Sequence, residues 1–170
     1  MPAIHVTPLS RLHETVEASG ASHVVTLINV STPVERPASI PQERHLFIGV
    51  SDIVQDMDGH VLPGQDHVER LLGFVRQWDR EKPMVIHCWA GISRSTAAAF
   101  ISLCALRPDR DEAELARELR LRAPSATPNA RLVSVADALL RREGRMTEAV
   151  AAIGRGADAF EGTPFHLKVE

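Results

Sequence analysis

Residues 84–96 read Met-Val-Ile-His-Cys-Trp-Ala-Gly-Ile-Ser-Arg-Ser-Thr, and the rest of the chain can be understood as support for them. The apolar run at 84–86 follows a proline, which is typical of a buried strand. Residues 96–106 are rich in alanine and carry an apolar face, which predicts a helix. The order is therefore strand, tight loop and helix, with the thiol of Cys88 at the start of the loop and the guanidinium of Arg94 at its end.

This arrangement suits the binding of an anion. A loop that ends at a helix N-terminus directs free backbone N–H groups and the helix dipole at one point, and Arg94 can donate two parallel hydrogen bonds to a phosphate. The same positive field favours the thiolate form of Cys88, a nucleophile directed at phosphorus. Gly91 allows close backbone approach, the Ser95 hydroxyl can hydrogen-bond the sulfur and help it leave, and His87 can fix the loop through its side chain.

Length and composition indicate one soluble domain spanning 1–170. Apolar and charged contents of 44% and 24% are ordinary, and the formal charge of −3 favours neither nucleic acid nor an anionic membrane. Two cysteines make no disulfide framework, and a catalytic thiol is better kept in a reducing compartment, so we expect a cytoplasmic protein. No signal peptide or long apolar run is evident, so we expect no membrane insertion. The histidines lack metal-ligand spacing, so no metal or cofactor is expected.

The rest of the chain alternates short apolar strands with amphipathic helices. Strands are predicted at 4–6, as a sheet edge, and at 23–30, 44–50 and directly before Cys88. Helices are predicted at 9–18, 66–80 and 95–106, from a capping box at Asp109 and Glu112 to about Arg122, after a cap at Thr127, and at 146–153. The alternation predicts an α/β fold with a central, mainly parallel sheet flanked by helices. Ligands of such sheets bind beyond the carboxyl ends of strands, where Cys88 and Asp52 both lie.

The loop resembles the signature of the cysteine-dependent protein tyrosine phosphatases, His-Cys-x-x-Gly-x-x-Arg-Ser. Residues 87–95, His-Cys-Trp-Ala-Gly-Ile-Ser-Arg-Ser, are most similar to the dual-specificity branch, whose loop commonly reads His-Cys-x-Ala-Gly-x-Ser-Arg-Ser. All fixed positions match, whereas the match elsewhere is loose. The resemblance implies a tyrosine-phosphatase-like sheet flanked by helices. It also implies that phosphate is bound by a P-loop made of Trp89, Ala90, Gly91, Ile92, Ser93 and Arg94.

The resemblance further implies a general acid on a separate loop upstream of the cysteine, because the leaving oxygen of a phosphate ester needs a proton. Asp52 follows an apolar strand and stands 36 residues before Cys88, which fits that placement. Asp56 and Asp58 are rivals on the same loop, although Asp58 precedes Gly59 and is more typical of a turn. The predicted catalytic set is Cys88, Arg94, Asp52 and Ser95, supported by His87.

The predicted function is hydrolysis of phosphate monoesters through a phosphocysteine on Cys88, as a protein tyrosine or dual-specificity phosphatase. The substrate is a phosphorylated protein or a small phosphate monoester. Lipid phosphatases of the superfamily often carry lysines inside the loop, and Ala90, Ile92 and Ser93 offer none, which disfavours an inositol or lipid phosphate as the alternative substrate. The chain has no Tyr, so it lacks the aromatic loop with which strict phosphotyrosine enzymes deepen their pocket.

Several alternatives remain open at this point. Another cysteine-loop enzyme, such as a rhodanese-like sulfurtransferase or an arsenate reductase, would need no upstream Asp. A non-catalytic phosphate-binding module is a further alternative. Trp89 is either a packing residue behind the loop or a wall of the pocket. Cys104 is predicted to be a core residue rather than a disulfide partner of Cys88. Pro128-Asn129 resembles a Pro-Asn of dual-specificity sequences and is predicted to be structural.

Overall fold

The computed structural model describes residues 2–170, which form one five-stranded sheet with helices on both faces. The strands are β1 (Ala3–Pro8), β2 (His23–Ile28), β3 (His45–Gly49), β4 (Met84–Cys88) and β5 (Phe165–Lys168). Their spatial order is β3-β2-β4-β1-β5; β1 to β4 run parallel, whereas β5 runs antiparallel to β1. The predicted α/β fold with a mainly parallel sheet is therefore confirmed.

Six α-helices connect the strands of this part of the chain. They are α1 (Leu12–Ser19), α2 (Gln65–Gln77), α3 (Arg94–Leu106), α4 (Glu112–Arg122), α5 (Ala130–Leu139) and α6 (Arg145–Ile153), with short 3-10 turns at Leu9–Arg11 and Gln42–Arg44. The predicted helices are all present, with boundaries shifted by a few residues. Across residues 2–170, every helix is too short or too polar to cross a membrane.

Alternation along the strands gives the sheet two apolar faces. On one face, Val25, Ile86 and the other strand side chains that point to the same side of the sheet form the larger core with residues of α2 to α6. On the other face, Val24 and Val85 pack against Leu12 and Val16 of α1 in a smaller cluster. The sheet is therefore covered on both sides, which explains the nearly continuous apolar run of β2.

Helix α3 passes through the middle of the larger core. Its residues from Arg94 to Cys104 are all buried, which suits a helix that is apolar around most of its circumference. Three consecutive alanines, 97–99, bring α3 close to the sheet, where it contacts β4 and β1. Because β4 leads into the loop and α3 leads out of it, the loop is fixed at both ends by buried elements.

The first strand is an interior strand, and the prediction of an edge at 4–6 was wrong. β1 pairs with β4 on one side and with β5 on the other, with Ile4 opposite Met84 and Leu167. The strand that pairs with the outer edge of β1 is β5, which has only four residues. An apolar and polar alternation that short cannot be recognised in the sequence of the tail.

The N-cap of α4 lies two residues after Asp109, the residue predicted for it. The N-cap is Asp111, whose Oδ1 accepts a hydrogen bond from Glu114 N at 3.1 Å. The carboxylate of Asp109 instead forms an ion pair with Arg107 at 2.7 Å. The oxygens of Asp109 are thus taken by a charge-assisted pair, while Asp111 caps the helix.

The predicted cap of α5 was also wrong. The N-cap is Asn129, whose Oδ1 accepts from Leu132 N at 3.0 Å. The hydroxyl of Thr127 accepts from the backbone of Gly156 at 3.0 Å and so serves the C-terminal tail. Asn129 consequently begins the helix while its amide group remains free to donate elsewhere.

Candidate active site

The carbonyl groups of the cysteine loop, residues 88–94, are hydrogen-bonded to the surrounding segments. The donors lie outside the loop: Leu9 N to Trp89 O at 3.0 Å, Gly162 N to Ala90 O at 2.8 Å, Thr127 N to Ile92 O at 2.9 Å and Asn129 N to Ser93 O at 3.1 Å. Within residues 2–170 the amides of Ala90, Ile92 and Ser93 have no acceptor. These amides, together with the side-chain-uncapped start of α3, are available to an oxyanion.

Gly91 is the residue on which this loop conformation depends. Its φ is +71°, in the left-handed region, and a Cβ there would lie 2.7 Å from Pro8 N and 2.9 Å from Thr7 C. The end of β1 therefore lies directly against the loop. Only glycine allows both the backbone angle and this approach.

Cys88 ends β4 inside the loop. Its side chain is buried, its Sγ lies 3.2 Å from Ser95 Oγ, and Gly91 N donates a hydrogen bond to Sγ at 3.2 Å. An amide and a hydroxyl that can both donate to sulfur stabilise a thiolate and make it a better leaving group. The structure thus brings Cys88 and Ser95 within hydrogen-bonding distance, and their catalytic roles stay predictions.

His87 is buried in the sheet and supports the loop from below. Its Nδ1 lies 3.0 Å from Cys88 O, and its Nε2 lies 2.7 Å from Thr26 Oγ1. A carbonyl only accepts, so Nδ1 carries the hydrogen and Nε2 accepts from the Thr26 hydroxyl. That hydroxyl oxygen lies 2.8 Å from Nε2 of His45 and accepts from it. Burial lowers the pKa of His87 to about 4, against a smaller opposing effect of its bond to Cys88, so the ring is neutral and serves to hold the backbone.

Arg94 is buried at the first position of α3, and one end of its guanidinium is anchored. Nη1 donates to Asn29 Oδ1 at 2.6 Å and to Val50 O at 3.0 Å. Nε is buried and has no hydrogen-bond partner among residues 2–170. A buried, unpaired donor of a charged group is costly unless a ligand completes it. The free side of Arg94 therefore matches an anion bound over the cysteine loop.

Asp52 lies beside the cysteine loop. Its Oδ1 accepts from Ser93 Oγ at 2.7 Å and from Asn129 Nδ2 at 2.9 Å. The same Nδ2 donates to Ile53 O at 3.2 Å, so Asn129 also holds the backbone of this loop. With Oδ1 occupied by two donors, Oδ2 is the oxygen that can carry a proton to a leaving group.

The rival carboxylates differ from Asp52 in their partners rather than in their exposure. Asp52, Asp56 and Asp58 are all exposed. Asp58 and Gly59 occupy a turn that is closed by a hydrogen bond from His60 N to Met57 O at 3.1 Å, with Gly59 at a φ of +78°. Of the three carboxylates, it is Asp52 that hydrogen-bonds a residue of the cysteine loop. The choice of acid is nevertheless a chemical assignment, and it remains a prediction.

The two remaining residues of note occupy different surroundings. Trp89 is 43% exposed, and its ring meets Phe160 edge to face, with centroids 5.4 Å apart and an interplanar angle of 86°. It is thus a surface residue rather than a packing residue behind the loop. Cys104 is a free, buried thiol whose pKa is raised to about 12 by burial. Cys88 Sγ lies 3.2 Å from Ser95 Oγ, and Cys104 lies nine residues beyond Ser95 on α3, about 13.5 Å by helical rise, which is too far for a disulfide with Cys88.

Sequence reasoning missed two residues that hold the site together: Asn29 anchors Arg94, and Thr26 orients His87. Asn129 was predicted to be structural, and it both caps α5 and donates to Asp52. Asn29 was predicted to lie within a strand at 23–30, but β2 ends at Ile28. The placement rule that selected Asp52, a polar residue directly after an apolar strand, applies equally to Asn29 and would have found it.

Part of the chain matches a known protein family. Residues 57–131 match the family model described as protein-tyrosine phosphatase; the match contains the cysteine loop and Asn129 but not Asp52. Among curated proteins no sequence matches.

Solved structures of phosphatases share the fold over most of their length. DUSP15 is 15% identical, covers 89% of this chain and 92% of its own, and gives a TM-score of 0.65. The Cydia pomonella PTP-2 phosphatase is 20% identical, with coverage of 79% and 84% and a TM-score of 0.62. PTPMT1, solved in complex with PI(5)P, is 13% identical, with coverage of 88% and 93% and a TM-score of 0.60. The family match over residues 57–131 confirms the resemblance to the protein tyrosine phosphatases, and the solved structures show the shared fold.

Proposed function

We propose that the protein hydrolyses phosphate monoesters as a dual-specificity-type protein phosphatase, with a phosphocysteine intermediate on Cys88. The observation that carries this proposal is the state of Arg94. Its Nη1 donates to Asn29 and to Val50, whereas its buried Nε has no hydrogen-bond partner among residues 2–170. Arg94 is also the first residue of α3, whose N-terminus has no side-chain cap. A nucleophile, free amides and an incomplete cation at one point suit a bound phosphoryl group.

In the first step, the phosphoryl group binds to Arg94 and to the amides of the cysteine loop. The Cys88 thiolate attacks phosphorus, so that an S–P bond forms as the P–O bond to the leaving group breaks. Asp52 donates the proton of Oδ2 to the departing oxygen, which leaves as a neutral alcohol or phenol. Arg94 and the amides stabilise the charge on the three equatorial oxygens throughout.

In the second step, water attacks the phosphocysteine. Asp52, now ionised, takes a proton from the attacking water, and Cys88 leaves as a thiolate that accepts hydrogen bonds from Ser95 and from Gly91 N. Inorganic phosphate departs and the starting state is restored. The cationic and dipolar groups of the chain supply the charge stabilisation in both steps, so no cofactor is part of the proposal.

The first experiment measures steady-state hydrolysis of a small aryl phosphate in the presence of a chelator. Wild type should turn over and Cys88→Ser should not, although Cys88→Ser should still bind vanadate. Cys104→Ala is the matched control, because it removes the other thiol, and it should retain activity. Turnover by Cys88→Ser would overturn the phosphocysteine. Vanadate binding without turnover in wild type would instead indicate the phosphate-binding module.

The role of Asp52 is tested with a series of leaving groups. Asp52→Asn should reduce kcat by about 10² to 10⁴ for an ester of a poor leaving group and far less for an ester of a very good one. Asp58→Asn on the same loop is the control and should leave the series unchanged. Equal losses of kcat for all esters would mean that Asp52 does not donate a proton to the leaving group. That result would favour the other cysteine-loop enzymes, which need no such acid.

Inositol or lipid phosphates remain the alternative substrate class. The fold is shared with PTPMT1, but the cysteine loop carries Ala90, Ile92 and Ser93 where extra phosphates would need cations. A reducing compartment such as the cytoplasm is proposed on the grounds that Cys88 and Cys104 are both free.

A further inference from the structure

Large apolar side chains are exposed mainly around the candidate active site. Of the six such side chains that stand out among residues 2–170, four lie in loops at the carboxyl edge of the sheet: Val30 after β2, Val54 and Met57 after β3, and Trp89 after β4. Phe160 joins them through its contact with Trp89. We name these five residues the apolar rim. The sixth, Leu121, belongs to helix α4. Exposed apolar groups on neighbouring loops of one sheet edge are typical of a binding surface.

The C-terminal tail is fastened to the cysteine loop and holds Phe160 at the rim. Gly162 N donates to Ala90 O at 2.8 Å, and a Cβ on Gly162 would lie 2.8 Å from Gly91 O, so the tail backbone touches the loop backbone. Glu161 accepts from Ser10 Oγ at 2.9 Å. Phe160 is nevertheless 80% exposed. Its position is therefore fixed by its neighbours, while most of its ring surface is left uncovered.

The segment 50–64, which carries Val54 and Met57 of the rim, is acidic: it contains Asp52, Asp56 and Asp58 and no Lys or Arg. Arg131 contacts the end of this segment, where its Nε donates to Pro63 O at 3.0 Å. On the tail, Arg155 is paired with Asp158 at 2.7 Å, and Glu161 lies near Arg11. An apolar surface with this charge repels an anionic bilayer and a ligand with several phosphates. It suits a ligand whose only strong negative charge is the phosphoryl group inside the loop.

A cleft of about 390 Å³ adjoins the loop on the side of the tail. Its lining runs from Ile92 and Thr127 to the tail residues 155–160, which end at Phe160. It joins the apolar rim to a residue of the cysteine loop. A polypeptide that places a phosphorylated side chain over the loop can therefore continue along the tail.

We propose that the apolar rim binds polypeptide, and that the substrate is a phosphotyrosine flanked by apolar rather than acidic residues; this rests on the proposed function. Trp89 and Phe160 supply the aromatic surface for the phenyl ring and its neighbours, which pair edge to face or offset with other rings. The chain has no Tyr of its own, so this surface comes from the cysteine loop and the tail. The acidic segment 50–64 disfavours acidic flanks through like-charge repulsion.

The test compares three synthetic phosphopeptides. Two carry phosphotyrosine, one with leucine and valine flanks and one with aspartate and glutamate flanks; the third carries phosphoserine with the apolar flanks. Wild type should hydrolyse the apolar phosphotyrosine peptide with a kcat/KM at least about tenfold above either of the others, the effect expected when part of an apolar side chain is buried. The same preparation is assayed on a small aryl phosphate, which reports the proposed function alone.

Variants assign the preference to the rim. Phe160→Ala should reduce the preference for the apolar phosphotyrosine peptide to about threefold or less, mainly by raising KM, because binding area is lost while the reacting groups stay in place. Leu121→Ala is the matched control, since Leu121 is 83% exposed but lies on α4, and it should retain the full preference.

The possible failures are distinguishable. Equal kcat/KM values for all three peptides, with the aryl phosphate still hydrolysed, would overturn this inference and leave the proposed function standing. The same holds for faster hydrolysis of a phosphoinositide in anionic vesicles than of the apolar peptide, and for a preference that Phe160→Ala leaves intact. Failure to hydrolyse any ester would overturn both.

Discussion

Two asparagines position the two charged groups of the site, and each acts on one of them. Asn29 Oδ1 accepts from Arg94 Nη1 at 2.6 Å, whereas Asn129 Nδ2 donates to Asp52 Oδ1 at 2.9 Å. Arg94 binds the phosphoryl group of every ester in the proposed mechanism. Asp52 matters only to the extent that the leaving group needs a proton. The two asparagines should therefore have different kinetic signatures.

We predict that Asn29→Ala lowers kcat/KM by about tenfold to a hundredfold for all esters and weakens vanadate binding, since a hydrogen bond to a charged group is lost. Asn129→Ser should leave vanadate binding intact and slow only esters of poor leaving groups; serine retains an oxygen that can cap α5. Steady-state kinetics over a leaving-group series and vanadate inhibition measure both. Identical profiles for the two variants would contradict the separation of roles.

At the scale of the elements, the cysteine loop is shaped by the strand beside it as well as by its own sequence. The end of β1 lies so close to Gly91 that a methyl group would meet Pro8 N at 2.7 Å. The loop carbonyls accept hydrogen bonds from the turn after β1, from the segment before α5 and from the tail. The anion cradle is therefore a property of four packed segments, not of the loop alone.

Gly91→Ala is expected to abolish vanadate binding and turnover, because the loop must move away from β1 to relieve the contact. Gly20→Ala is the matched control: its φ is +69°, close to the +71° of Gly91, but a Cβ there meets nothing within 4 Å. Each change should cost about 1 kcal/mol or more from the left-handed backbone, measured by urea unfolding. Only Gly91→Ala should lose function; loss in both would attribute the effect to backbone strain.

The elements themselves were largely predictable from local patterns. An apolar run rich in β-branched residues gave β2, a shorter apolar run gave β3, and helical spacing of Val68, Leu71, Leu72 and Val75 gave α2, because these patterns follow from covering one or two faces of an element. The errors have different causes. β5 is too short to show a period, Thr127 serves Gly156, which is distant in sequence, and Asp109 pairs with its near neighbour Arg107.

On the scale of the whole molecule, the buried His87 couples the stability of the fold to pH. Its pKa falls from an ordinary value of 6.5 to about 4, chiefly through burial. The unfolded chain therefore binds a proton at His87 between those values while the folded chain does not. The state that binds more protons is favoured as the pH falls. The stabilisation of the folded state by the neutral His87 is therefore present above pH 6.5 and is lost as the pH falls toward 4.

We predict that the free energy of unfolding of wild type falls between pH 7 and pH 5, with His87 responsible for about 2 kcal/mol of the decrease. His87→Gln should be less stable at pH 7, because it breaks the hydrogen bonds to Cys88 and Thr26, but its stability should depend less on pH. His60→Gln, at an exposed position, controls for removal of a histidine. Urea unfolding at both pH values measures the difference, and an equal slope in His87→Gln would contradict this account.

The sequence by itself determined the class of sheet and the loop in which we propose Cys88 as the nucleophile and Arg94 as the phosphate-binding group. These follow from local chemistry: a strand, a glycine, an arginine and a helix start in one short run can be recognised without knowing their neighbours. Only the tertiary structure decided which carboxylate meets the loop, how Asn29 and Asn129 hold the charged groups, and that the tail brings Phe160 to Trp89. Those relations join residues far apart in sequence, and their partners are selected by packing of the whole chain, which no local pattern encodes.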